Sequence, residues 1–140
     1  MESPEVRRRT MQAVKSKDTA IEMRVRRLLH AQGYRYRLHR SDLPGCPDLA
    51  FGSRRKVIFI HGCFWHGHQC ARGKRVPKTN TDYWIAKISR NRARDAITRA
   101  KLKDLGWKVS IVWDCELAKD IGAVTKKLAR FLGTVGRESE

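Results

Sequence analysis

KVIFIHGCFWHGHQC, residues 56–70, begins as an apolar run and ends in a loop crowded with three histidines and two cysteines. Val57, Ile58, Phe59 and Ile60 run on without polar alternation, the pattern of a strand covered on both faces. DLAFG, residues 48–52, is a second short apolar run, and the SRR between the two marks a hairpin whose second strand is buried. That strand hands the chain to the loop at its C-terminal end, where open α/β sheets build their sites.

Working outward, DTAIEMRVRRLLHAQG carries Thr19 and Glu22 at capping-box spacing and Ile21, Val25, Leu28 and Leu29 on one face. An amphipathic helix ending at Gly33 is expected. YRYRLHR alternates Tyr34, Tyr36 and Leu38 with basic residues, as a strand with one basic face does, and SDLPGCP is a turn. From Thr81 a long helix is expected to turn Ile85, Ile88, Ala96 and Leu102 inward and its arginines outward, with Gly106 ending it. WKVSIVWD reads as a buried strand holding Trp107 and Trp113, and ELAKDIGAVTKKLARFLG as one final helix with Leu128, Phe131 and Leu132 near one face. The order helix, three strands, loop, helix, strand, helix predicts an α/β fold: a single domain with a mixed central sheet flanked by helices.

The 140 residues suit one core. Residues 1–15 read as a mobile basic arm, either simply disordered or ordering against phosphates, 16–133 as the folded domain and 134–140 as a tail. Lys and Arg total 31 against 14 acids, a formal charge of +17 that repels itself and attracts a polyanion. The basic residues run through the whole chain, which favours nucleic acid over a merely solvated cationic face, with an anionic membrane as the main competitor. With no apolar run near membrane-spanning length and no signal-peptide core in the first 15 residues, the expected location is the cytosol. There Cys46, Cys63, Cys70 and Cys115 are expected as thiols or metal ligands.

Zinc takes thiolate and imidazole in a closed tetrahedron, and Cys63, His68 and Cys70 offer three such ligands within eight residues. Cys115, just after a strand, or the less constrained Cys46 supplies the fourth. His61 and His66 are left over, and neutral imidazole near pH 7 takes or gives a proton, so the pair points to acid-base chemistry. Asp48, in a Pro-Asp pair before the histidine-bearing strand, offers the carboxylate oxygen that Mg²⁺ prefers when it polarises a phosphoryl group.

With PGCPDLAF, VIFIHGCFWHGHQC, DYWIAKISRNRARD and GWKVSIVWDCEL together, the chain resembles the very short patch repair (Vsr) DNA mismatch endonucleases over roughly residues 8–132. The resemblance implies a restriction-endonuclease-like fold, a PD-(D/E)xK variant in which Phe59-Ile60-His61 replaces the acidic-lysine pair. It implies Asp48 as the magnesium carboxylate beside the backbone carbonyl of Ile60. His61 and His66 would be the catalytic histidines, His66 the one that activates water, and Glu22 a supporting acid. Cys63, His68, Cys70 and Cys115 would hold a structural zinc, leaving Cys46 spare. Phe64 and Trp65, supported by Trp84, would form an exposed aromatic wedge entering an opened base step.

The implied activity is a magnesium-dependent nick 5′ of the thymine in T:G mispairs that arise from 5-methylcytosine deamination. The implied partners are mismatched double-stranded DNA, mismatch-repair proteins and a companion cytosine-5 methyltransferase, with the enzyme a monomer. Two readings compete: a zinc-stabilised DNA-binding module without catalysis, and a related nuclease that cuts paired or branched DNA.

Overall fold

The computed structural model describes residues 20–70, 74 and 77–133. The basic arm, Thr19 and the C-terminal tail lie outside them. Among these residues eight elements follow in order: α1 (Ala20–Ala31), β1 (Arg37–Leu38), β2 (Leu49–Phe51), β3 (Lys56–His61), α2 (Thr81–Asp104), β4 (Lys108–Trp113), α3 (Asp114–Lys119) and α4 (Ile121–Leu132). The sheet order is β1-β2-β3-β4. The first two pairings are antiparallel and the last is parallel, so the sheet is mixed as expected.

Alternation along the strands divides the apolar side chains between two cores. Leu49, Phe51, Ile58 and Val112 face Val25 and Leu29 of α1, Leu117 of α3 and Val124, Leu128 and Leu132 of α4. Ala50, Val57 and Phe59 face the other way, onto Leu43 and Leu102 of α2. β3 contributes to both cores, which is why its sequence shows no alternation.

The last turn of α4 is closed by the β2–β3 turn. Arg54 donates to the Leu132 carbonyl, Lys56 Nζ to the Phe131 carbonyl at 2.5 Å, and Tyr34 Oη to the Gly133 carbonyl at 2.5 Å. Two cations thus sit at the negative end of the helix dipole and satisfy carbonyls that have no partner within the helix.

Four expectations need correction. The 34–39 strand shrinks to Arg37–Leu38, because Tyr34 and Tyr36 turn edge-on to Phe51 in the core while Leu38 stays 43% exposed. In α2 only Ile88 and Leu102 are buried; Ile85 and Ala96 are exposed, since the helix meets the body along one narrow line. β4 is half-buried from Val109 to Trp113 apart from the buried Val112, and Lys108 is exposed. The final helix breaks at Asp120, whose extended backbone ends α3 and whose carboxylate accepts from the Ala123 N–H at 3.1 Å to start α4. Aspartate favours such a cap over a helix interior, and this break lets Leu117 and Val124 both reach the core.

Candidate active site

β2 and β3 meet at Asp48. Its Oδ2 accepts the Ile60 N–H at 2.7 Å, fixing the carboxylate against the strand. Beside it stand Glu22, from α1, and His39, just past β1; one donor atom of each lies within 4.8 Å of the others. His39 Nε2 is 2.9 Å from Glu22 Oε2 and 3.9 Å from Asp48 Oδ1, and Arg26 pairs with the same glutamate oxygen. Burial, opposed by the Ile60 N–H and reinforced by Glu22, pushes the Asp48 carboxyl up to about 7. Such a pocket resists holding bare negative charge and gains by taking a cation.

His61 ends β3 with 6% of its surface exposed, and its ring lies flat on His66, 3.6 Å between centroids and 2° between planes. Burial, together with the neighbouring His66, lowers His61 to about 3, so it is neutral at physiological pH. Its Nδ1 has no hydrogen-bond partner among the described residues. His66 Nδ1 is 2.6 Å from Asp95 Oδ2, and Asp95 reaches up from α2. Burial alone would raise Asp95, but its hydrogen bond with His66 and nearby positive charge bring it below the usual carboxylate range. An ionised Asp95 accepts the His66 Nδ1–H, leaving Nε2 as the basic atom of the ring. These groups line an open cleft of about 510 Å³ with Arg92, Arg99 and Trp113.

The loop after His61 folds on itself: His66 N–H donates to the Gly62 carbonyl and His68 N–H to the Cys63 carbonyl. Gly67 has φ +60, and a Cβ there would stand 2.8 Å from Ile88 Cγ2 and 2.6 Å from Arg92 Cδ. Only glycine lets the loop lie this close to α2 with that backbone. Cys63, His68, Cys70 and Cys115 gather with their donor atoms within 4.8 Å, and Cys115 Sγ is 3.5 Å from His68 Nδ1. Sulfur and nitrogen bound to one tetrahedral zinc at about 2.3 and 2.1 Å lie about 3.5 Å apart, so this donor set fits that ion. None of the four cysteines is disulfide-bonded, and Cys46 lies outside the cluster.

Phe64, Trp65 and Trp84 pack edge to face, with centroids 5.2–5.5 Å apart. Each is half-buried, so the Phe-Trp pair is partly covered in this loop. Asn91 Nδ2 donates to the Trp65 carbonyl at 2.8 Å and ties this corner to α2. Trp113 is not core either: it stacks on His68 at 4.0 Å and stands edge-on to His61 at 5.1 Å.

The structure therefore groups the expected residues into four sets, the Asp48 carboxylates, the stacked histidines, the cysteine cluster and the aromatics, and adds three residues that sequence reading missed. Asp95 is the sole acid of α2 between Asp82 and Asp104, a signal hidden in a run of arginines. His39 lies across the hairpin from Asp48, and Tyr83, 48% exposed, extends the aromatic group through Trp84.

The family model for the DNA mismatch endonuclease Vsr matches residues 1–72, just over half the chain. The chain belongs to the Vsr family. Among relatives, a type II nicking enzyme, V.XorIIP, of Xanthomonas oryzae pv. oryzae is 56% identical over 93% of this chain and 94% of its own. The DNA mismatch endonuclease Vsr of Escherichia coli K12 is 47% identical over 79% of this chain and 70% of its own. The type II nicking enzyme V.NmeAIP of Neisseria meningitidis is 45% identical over 76% of each. Vsr membership implies the restriction-endonuclease-like fold, and the mixed sheet agrees with it. Among the described residues no helix is long and apolar enough to cross a membrane.

Proposed function

We propose that the protein is a strand-specific endonuclease that nicks DNA 5′ of the thymine in a T:G mispair left by 5-methylcytosine deamination, starting very short patch repair. The observation that carries this reading is the β3 end, where Asp48 is clamped to Ile60 and the next residue, His61, stacks on an Asp95-held His66. A phosphodiester lying across that end meets a carboxylate on one side and imidazole on the other. A Mg²⁺ ion held by Asp48 and the Ile60 carbonyl, with Glu22 in support, would polarise the phosphoryl oxygen and stabilise the charge that develops. His66 Nε2 takes the proton of the attacking water, and Asp95 holds the ring for that transfer. His61, neutral, offers a hydrogen bond to phosphate.

Cys63, His68, Cys70 and Cys115 hold zinc in this reading and keep the loop in place. Phe64, Trp65 and Trp84 enter the mispair, where unstacking costs least. The exposed arginines of α2, among them Arg90, Arg94 and Arg99, supply phosphate contacts. The enzyme acts as a monomer in the cytosol, beside mismatch-repair proteins and a cytosine-5 methyltransferase.

The deciding experiment is cleavage of end-labelled duplexes carrying T:G, C:G or a branched junction in randomised flanks, each with Mg²⁺ and with EDTA. Nicking of only the T:G thymine strand, and only with Mg²⁺, is expected. Binding without cleavage would favour the non-catalytic module, and cutting of paired or branched DNA another nuclease class.

Three further outcomes follow. Trp65→Ala should weaken binding to T:G duplex by about 1–3 kcal/mol, as loss of a base-stacking aromatic does, and change binding to paired duplex little, measured by fluorescence anisotropy. Asp95→Asn should lower kcat roughly 10²-fold, within the range of general acid-base catalysis, with KM nearly unchanged. The raised Asp48 carboxyl holds its proton below about pH 7, and a cation must displace that proton. Mg²⁺ affinity should therefore rise with pH up to about 7 and level off above it, falling by about tenfold per pH unit on the acid side, as read by calorimetry in two buffers of different ionisation enthalpy.

A further inference from the structure

Resting on the reading of Asp48 as a cation ligand, we infer that His39 is a third donor of the same site, giving it a mixed nitrogen and oxygen character that favours Mn²⁺ over Mg²⁺. The sheet register places it there. Leu38 pairs with Leu49 in the antiparallel β1–β2 ladder, so the next residues outward, His39 and Asp48, face each other across the end of the hairpin. The His39 N–H donates to the Asp48 carbonyl at 3.2 Å, extending the ladder by one bond.

His39 has φ +46, a left-handed backbone that non-glycine residues adopt at a cost and keep only where surroundings enforce it. Its side chain is 13% exposed, beside a Glu22 side chain at 5% and an Asp48 side chain at 22%. The imidazole is thus packed inward among carboxylates instead of lying in solvent like an ordinary surface histidine.

The distances suit shared coordination. Adjacent donors about 2.1 Å from an octahedral ion lie about 3 Å apart, and opposite ones about 4.2 Å. Nε2 of His39 is 2.9 Å from Glu22 Oε2 and 3.9 Å from Asp48 Oδ1, both within that span. Asp48 uses Oδ2 on the Ile60 N–H, so Oδ1 is the oxygen turned to His39. Arg26 offsets the charge of Glu22, which leaves the two carboxylates a net charge near −1 for a divalent ion. Mg²⁺ prefers oxygen ligands throughout, whereas imidazole suits transition-series cations. Removing the imidazole should therefore separate the two metals.

The test uses zinc-loaded, full-length protein. Mn²⁺ binding is measured from the free-ion electron paramagnetic resonance signal, with Mg²⁺ as competitor, in wild type, His39→Gln and Asp48→Ala. H39Q should weaken Mn²⁺ binding about tenfold and Mg²⁺ binding less than twofold. Electron spin echo modulation on the wild-type Mn²⁺ complex should show a directly bound ¹⁴N that H39Q removes. No nitrogen modulation in wild type, or a nitrogen signal that survives H39Q, would overturn the assignment, as would equal losses of both metals. Unchanged binding of both metals in D48A would instead overturn the underlying reading of Asp48, and this inference with it.

Discussion

Asp48→Asn and His66→Ala are each expected to reduce T:G nicking by at least about 10³-fold while mismatch binding stays within a few-fold of wild type. The two variants fail for different reasons. Asparagine keeps a carbonyl to accept the Ile60 N–H, and the site is partly open, so the fold should survive; what is lost is the negative charge that attracts a cation. His66→Ala leaves that charge in place and removes the imidazole that Asp95 holds at 2.6 Å, so no basic nitrogen is aimed at the water. Adding both substitutions should cost little more than the worse single one, because cation and base act on the same step. Single-turnover cleavage of a labelled duplex, with anisotropy for binding, measures both quantities. Undiminished cleavage in either variant would remove the proposed mechanism.

Stripping zinc is the second large expected effect. Cys63 is fully buried, and with no metal its burial, together with thiol neighbours, pushes it up to about 12. A protonated thiol packed against two others offers no attraction, whereas a zinc site contributes roughly 10–16 kcal/mol to folding. A whole domain is stable by about 5–15 kcal/mol, so loss of the ion is comparable with the whole margin. Dialysis against a strong chelator, or Cys63→Ser, should lower Tm by tens of degrees or abolish the cooperative transition. One zinc per chain is expected by elemental analysis. Because the ligating thiols must lose protons, retention should weaken as pH falls. A chelated protein melting like the original would refute the assignment.

The two-sided burial of β3 was legible in the sequence because a strand that feeds two cores shows no alternation. The cysteine and histidine loop was legible because so many soft ligands fall within so few residues. Glu22 lies beside Asp48 and His39, where its side chain bonds Arg26 and His39. Other features depend on contacts that no local pattern carries. Ile85 and Ile97 have the spacing and apolarity of buried positions yet stand exposed, since they lie off the narrow face of α2 that turns Ile88, Asn91, Asp95 and Leu102 to the body. The break at Asp120 is hidden inside a favourable helical sequence and follows from where Leu117 and Val124 must both pack. Asp95 and His39 acquire meaning only from partners distant in sequence, His66 for the first and Glu22 and Asp48 for the second.

The parallel pairing of β3 with β4 sets Lys56 opposite Lys108 and continues without a bulge to His61 opposite Trp113. That alignment is a phase lock between two distant parts of the gene. A one-codon insertion within Lys108–Trp113 would turn every following side chain to the other face, carrying Trp113 off the His68 ring and displacing Cys115 by a strand step. The same insertion at the Gly106 turn, before the ladder begins, could be absorbed as a longer loop. Length changes among functional descendants of this chain should therefore collect outside the ladder, and a scan of single-residue insertions would trace its limits as a gap in tolerated positions.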